Sequence, residues 1–193
     1  MSRAPQIAVA DPTELATVVD VITDAFLTLD VAAWLVPDPA QRRAAMRGHL
    51  CLITEQAFAH GTVYLADRGA GAAVWCDRTT DAPEVGDYDS RLAALCGEHV
   101  DRFRTFDALL ASHTPPEPHH HLALLGVTPT RQGTGVGTAL LRAHHQRLPA
   151  GVPAYLEASS MRARDLYARH GYQTQPPFHV ADHCPPLWPM WRH

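Results

Sequence analysis

The sequence predicts an α/β (α+β) fold, with strands and helices built into one domain over residues 1–193. Three observations carry this. The stretch Leu122–Leu141 opens as an apolar run of strand length, breaks at Thr128–Pro129, passes through three glycines spaced two apart, and continues from Val136 as a helical pattern. Elsewhere, segments with helical spacing alternate with short β-rich runs. Finally, 193 residues that are 46% hydrophobic and 19% charged suffice for a globular domain to bury a core without staples.

In chain order, Gln6–Ala10 reads as a short strand. Asp11 then caps a helix with Pro12 at its first position, and Leu15, Val18, Val19, Ile22, Ala25, Phe26 and Leu29 recur at three- and four-residue steps. Residues 30–39 read as a turn-rich segment holding Trp34 and two prolines, followed by a helix over 41–60. The runs 62–67 and 72–77 read as a hairpin around Arg68-Gly69-Ala70-Gly71, and 79–89 as an acidic loop. Leu92 to Leu110 suggests one or two helices interrupted near Gly97, and Pro115, Pro116 and Pro118 stop them before the central strand. After the glycine stretch a helix runs towards Pro149 and residues 152–159 form a strand. Ser160 caps a helix over 161–170 that Gly171 closes, and 172–174 and 187–192 are the last strands.

A strand, a glycine-rich turn and a helix N-terminus in that order form an anion-binding device. The first helical turn offers unpaired N–H groups and the positive end of the dipole, and glycines let phosphate oxygens approach the backbone. A pyrophosphate-bearing ligand is expected over Gln132, Gly133, Thr134, Gly135, Val136, Gly137 and Thr138, with the strand residues Leu125, Gly126 and Val127 beside it. The glycine order does not fit the dinucleotide pattern Gly-x-Gly-x-x-Gly, and a nucleotide P-loop needs a lysine that this chain lacks altogether.

The run Gln132-Gly133-Thr134-Gly135-Val136-Gly137, preceded by Val127-Thr128-Pro129, resembles the pyrophosphate-arm motif of the GNAT superfamily of acyl-CoA-dependent N-acyltransferases. The element order is similar to that fold as well. Ala73-Val74-Trp75, Glu117-Pro118, Gly126–Pro129, Gly151–Glu157, Leu166-Tyr167 and Gly171-Tyr172 together look like its puromycin N-acetyltransferase branch, best from Leu92 to Tyr172. The resemblance implies a central, mostly antiparallel mixed sheet of six to seven strands flanked by helices. Acetyl-CoA, as acyl-donor co-substrate, would lie in the cleft between the fourth and fifth strands. One departure stands out: Ala163 occupies a position where that branch tends to have an asparagine before the catalytic helix.

Acyl transfer to an amine requires the thioester carbonyl to be polarised, the amine to lose a proton and the departing thiolate to gain one. The resemblance assigns the first task to main-chain N–H groups of a bulged strand, here Leu124 to Val127. It assigns the last to Tyr167, since a phenol of pKa about 10 stays protonated at neutral pH and can donate to a thiolate. For the base, Glu157 shares one strand face with Tyr155 and Ser159, opposite Leu156 and Ala158, and so can point into a cleft beside the glycine loop. Glu117 and the run His119–His121 are also near the central strand. Strand alternation puts His119 and His121 on one face and His120 on the other, and His120 is retained beside Glu157 as a candidate catalytic residue. No carboxylate or cysteine has the spacing to join His119 and His121 at a metal, so none is expected.

Trp34, Phe103 and Phe106 are candidates for an apolar acceptor wall, while Trp75, alternating within a strand, reads as core. Asp101 and Asp107 are candidates to pair with a substrate ammonium. A net charge of −4 lacks the basic face of a nucleic-acid binder. Four scattered cysteines, no apolar signal core and no apolar run of membrane-spanning length read as a cytoplasmic protein with reduced thiols, a monomer or homodimer. The leading functional expectation is transfer from acetyl-CoA to a primary amine of a small molecule, antibiotic-like or a biosynthetic intermediate, in a ternary complex. The alternatives are acylation of a protein N-terminus or lysine, a different acyl donor, or a non-catalytic acyl-CoA-binding module.

Overall fold

The computed structural model describes residues 4–80, 86–182, 184 and 186–193. Residues 81–85, the middle of the expected acidic loop, lie outside the described residues.

The strands are β1 (Ile7–Val9), β2 (Gly61–Ala66), β3 (Gly71–Asp77), β4 (His120–Val127), β5 (Ala154–Ala158), β6 (Gln173–Thr174), β7 (Phe178–His179) and β8 (Pro186–Arg192). The helices are α1 (Leu15–Phe26), α2 (Asp30–Leu35), α3 (Pro39–His60), α4 (Tyr88–Cys96), α5 (Val100–His113), α6 (Val136–His145) and α7 (Met161–Ala168). The sheet order is β1-β2-β3-β4-β5-β8-β6, with β7 paired to β8 off this path. Every pairing is antiparallel except β4 with β5. This is a mixed, mostly antiparallel open sheet with helices on both faces. The strand beyond the expected six to seven is two-residue β7, too short to leave a periodic trace in the sequence.

Local chemistry accounts for several of the helix ends. Asp11 accepts from the backbone of Thr13 while Glu14 reaches back to the N–H of Asp11, a reciprocal capping box before α1. Asp38 and Ser160 cap α3 and α7 with one side-chain bond each, from the N–H groups of Ala40 and Ala163. Gly97, at φ +53°, ends α4 and separates it from α5, so the expected one or two helices are two. Residues 30–39 are corrected: instead of a turn-rich segment, Asp30–Leu35 form α2, which Pro37 and Pro39 delimit rather than dissolve.

Two apolar clusters occupy the two faces of the sheet. One gathers Val18 and Ile22 of α1, Met46 and Leu50 of α3, Phe103 of α5 and Leu124 of β4. The other gathers Trp75, Leu122, Leu140, Leu156, Tyr167 and Met190. Gly126 lets α1 lie directly on β4, because a Cβ there would come within 3.0 Å of Ala25 Cβ and 3.1 Å of Ile22 Cα.

A β-bulge in β4 sets which face each of its side chains takes. Val74 pairs with Leu124 and Trp75 with Leu122, leaving Ala123 as the extra residue. Ahead of the bulge Leu122 faces the second cluster. Ala123 and Leu124 then both face the first, and Leu125 returns to the second. One inserted residue thus inverts the in–out parity along the strand that leads into the glycine loop.

Candidate active site

β4 and β5 are in register only at His120↔Ala154 and His121↔Tyr155. Beyond His121 the edge of β4 that faces β5 forms no further ladder, and a cavity of about 770 Å³ opens there. Its walls are β4 from His121 to Val127, the glycine loop, the N-terminal turn of α6, Ser159 and Ser160 after β5, α7, and the inward faces of α1, α3 and α5. The cavity therefore joins both sides of the sheet through the split between the fourth and fifth strands.

On the loop side, Gly133 and Gly135 have φ of +76° and +89°, and Gly135 stands at the N-cap of α6. The left-handed turn at Gly135 aims the first N–H groups of the helix at the cavity, which Gly133, Gly135, Val136, Gly137 and Thr138 all line. Gln132 is held by two contacts: its amide N–H donates to the Val127 carbonyl at 3.2 Å, and its amide oxygen accepts from Arg162 at 3.2 Å. The side chain thus ties the end of β4 to α7. Thr134 turns its hydroxyl back to the Arg131 carbonyl. Arg131, Arg162 and Arg169 add positive charge along this wall.

At the split, His121 and Glu157 meet at 2.8 Å across the parallel strands. The Glu157 side chain is 8% exposed, and its second oxygen, Oε1, is buried with no hydrogen-bond partner among the described residues. His119 lies on the same face, its Nδ1 held to the Glu117 carbonyl at 2.6 Å, and burial lowers its pKa below the ordinary histidine value. Tyr155 donates to the His113 carbonyl, and burial together with the Glu157 charge raises its phenol well above 10. The expected sharing of a face by Tyr155 and Glu157 is what the strand does.

His120 requires a correction. Alternation turns it to the opposite face of the sheet, where its Nδ1 lies 3.2 Å from His144 Nε2, and it does not line the cavity. The histidine that accompanies Glu157 is His121.

Tyr167 lines the cavity from α7. It is 7% exposed, packs edge-on against Tyr172, and has no hydrogen-bond partner for its hydroxyl among the described residues. Burial raises its phenol well above 10, so it is a proton donor at neutral pH. Ala163 is the third residue of α7 rather than a residue before it, and its N–H is capped by Ser160 Oγ. Cys76, which the sequence did not single out, also lines the cavity. Burial raises its thiol above the ordinary value, which leaves it protonated and a poor nucleophile.

The far chamber is apolar, walled by Phe26, Leu29, Met46, Leu50, Phe106 and Leu110. Of the three expected aromatics only Phe106 lines it. Phe103, three residues earlier on α5, is fully buried against the His49 ring at 5.0 Å. Trp34 sits on α2 under the Arg102 guanidinium, which also donates to its carbonyl, and it does not line the cavity. Helical geometry accounts for both corrections, since only one side of each helix faces the chamber. Asp107 does line the chamber, whereas Asp101 pairs with Arg104 outside it. Sequence reasoning missed His49, whose one available signal was a histidine at a core spacing between Ala45, Met46, Leu50 and Ile53.

Residues 96–174 match the family model of the acetyltransferase (GNAT) domain. Among solved structures, the chain is similar to a histone acetyltransferase HPA2 and related acetyltransferase from Corynebacterium glutamicum, at 27% identity over 98% of this chain and 96% of that one, TM-score 0.77. It is also similar to the polyamine N-acetyltransferase of Drosophila melanogaster, which catalyses formation of N-acetylagmatine, at 16% identity, coverage of 97% and 98%, and TM-score 0.61. A third match is arylalkylamine N-acetyltransferase 2 from Aedes aegypti, at 12% identity, coverage of 98% and 99%, and TM-score 0.65. The fold is the GNAT fold, and the chain is an acetyltransferase enzyme. Among the described residues no helix is long and apolar enough to cross a membrane.

Proposed function

We propose that residues 1–193 act as one acetyl-CoA-dependent N-acetyltransferase domain that acetylates a primary amine of a small molecule by direct transfer in a ternary complex. The observation that carries this reading is a single cavity lined by the unladdered edge of β4, the glycine loop, the Tyr167 phenol and the His121–Glu157 pair.

The donor supplies an acetyl thioester, and the residues around it divide the remaining work. The N–H groups at the start of α6, with Arg131, Arg162 and Arg169 along the same wall, suit a pyrophosphate. The free edge of β4 after the Ala123 bulge offers N–H groups to the charge that develops on the carbonyl oxygen. Glu157 Oε1, buried and unpartnered, receives the ammonium and takes its proton, while His121 orients the carboxylate from its other oxygen. Tyr167 protonates the departing thiolate. The raised pKa of Cys76 favours direct transfer over an acyl-enzyme.

The apolar chamber fits an amine carried on an apolar or aromatic body, as in an antibiotic or a biosynthetic intermediate. The test is thiol release from acetyl-CoA across a panel of small amines. Amine-dependent release that Glu157→Gln and Tyr167→Phe strongly reduce is the expected result. Tight acyl-CoA binding without release for any amine would instead make the chain a binding module.

A further inference from the structure

Asp107 is a carboxylate in a chamber whose walls are largely apolar, with Thr28, Gln56 and Tyr88 also lining the cavity. Asp107 on α5 accepts from the Tyr88 hydroxyl at 2.8 Å through Oδ2 and from the His49 ring N–H at 2.9 Å through Oδ1. Three separate helices, α3, α4 and α5, thus converge on one carboxylate. His49 is 2% exposed, so the support is anchored in the core. The Tyr88 phenol, raised well above 10 by burial and by Asp107, remains a donor. The Asp107 side chain keeps 27% of its surface exposed and lines the cavity together with Phe26, Met46, Leu50 and Phe106.

A carboxylate has about four lone-pair sites, and Tyr88 and His49 use two. Among the described residues Asp107 has no arginine partner, and the chain contains no lysine. A negative charge fixed in an apolar chamber is costly unless a cation meets it. Asp107 and Glu157 are the only acids among the described residues lining the cavity, and Glu157 stands at the split where the thioester carbonyl would lie.

We propose that Asp107, held by Tyr88 and His49, binds a second positively charged nitrogen of the acceptor. On this basis the substrate class is a bifunctional amine, with one nitrogen acetylated beside Glu157 and a cationic nitrogen at Asp107, joined by an apolar spacer that fills the chamber. The inference rests on the N-acetyltransferase reading and narrows its acceptor.

The test compares α,ω-diaminoalkanes with n-alkylamines of matched length, reading thiol release from acetyl-CoA. The wild-type enzyme favours the diamine in kcat/KM, with an optimum spacer length. Asp107→Asn, which keeps an oxygen for Tyr88 or His49, lowers kcat/KM for the diamine by roughly 10–100-fold, the scale of a hydrogen bond to a charged group, and leaves the monoamine within about twofold. Tyr88→Phe removes a support but not the charge, so the diamine preference persists. If Asp107→Asn does not fold, Asp107→Glu serves instead: its longer side chain moves the optimum to a shorter spacer. Acetylation of monoamines with no diamine preference, equal losses on both substrate series, or an unmoved optimum in Asp107→Glu overturns the anchor and leaves the transferase reading standing. No thiol release with any amine overturns both.

Discussion

Glu157 and His121 sit on the two parallel strands of the sheet, 2.8 Å apart, where those strands stop pairing. Their place follows from topology. Among the described residues β4 and β5 are the one parallel pair, and His121, opposite Tyr155, is the final residue of β4 that β5 engages. A carboxylate two residues further along β5 shares that face and overhangs the opening. Among the described residues Glu157 Oε1 is buried and unpaired, which suits its proposed role of receiving a proton.

Glu157→Gln should therefore lower kcat by roughly 10²–10⁴-fold, the usual contribution of a general base, with a smaller change in the acceptor KM. His121→Asn, which removes the orienting partner, should cost less in kcat. Steady-state kinetics checks both. An unaltered kcat in Glu157→Gln would assign the proton to water or to another residue.

Tyr167→Phe should reduce turnover by roughly 10²–10⁴-fold while leaving acetyl-CoA affinity nearly unchanged, because the phenol acts only as the thiolate forms. Its burial holds it protonated, so the wild-type rate should show no loss from this group up to pH 9. Rapid-mixing measurement of thiol release separates the chemical step from product dissociation.

Gly135→Val should abolish acetyl-CoA binding. A Cβ at Gly135 meets nothing within 4 Å, so space is not the obstacle; the φ of +89° is, and a β-branched residue there forces the loop to reorient the first N–H groups of α6. Calorimetric titration with acetyl-CoA is the measurement, and unchanged affinity would remove the loop from the binding site.

How much of this was legible in the sequence depended on whether local pattern or long-range contact decided the matter. The glycine loop, the capped helices and the hairpin carry their own signals, so Gly135, Asp11 and Ser160 could be placed directly. Strand alternation correctly separated His119 and His121 from His120. It did not say which face met the cavity, because that depends on where β5 and the overlying helices pack. The Ala123 bulge was equally invisible: it is a mismatch between β3 and β4, and neither strand shows it alone. Asp107 acquires its significance only from His49 and Tyr88, 58 and 19 residues away.

Stability should fall as the solution is acidified below the ordinary histidine range. His144 stacks on Trp75 at 3.8 Å, is 3% exposed, and has its pKa lowered to about 3, first by burial and then by His120, His145 and Arg147. The folded-state value lies below the 6.5 of an unperturbed histidine, so in that interval the unfolded chain binds the extra proton. The contribution is complete above pH 6.5 and is lost as pH falls towards 3, at up to about 1.4 kcal/mol per pH unit. Thermal unfolding at pH 7.5 and pH 5 should show a lower Tm at pH 5. His144→Gln should flatten that dependence, and an identical slope in the variant would place the acid sensitivity elsewhere.

The last prediction separates two aromatics three residues apart on α5. Phe106 lines the apolar chamber, whereas Phe103 is fully buried between α5 and α3. Phe103→Ala leaves a cavity in the core and should cost about 3–5 kcal/mol of stability. At a temperature where that variant remains folded, its KM for the amine should be close to wild type. Phe106→Ala removes part of the chamber wall instead. It should raise the acceptor KM several-fold, leave acetyl-CoA affinity unchanged, and lower the unfolding free energy by less than Phe103→Ala, because the ring already faces open space. Chemical denaturation and steady-state kinetics on the two variants give the comparison. If Phe106→Ala binds the acceptor as the wild type does, the amine occupies the part of the cavity nearer β4, and the apolar chamber is no part of its recognition.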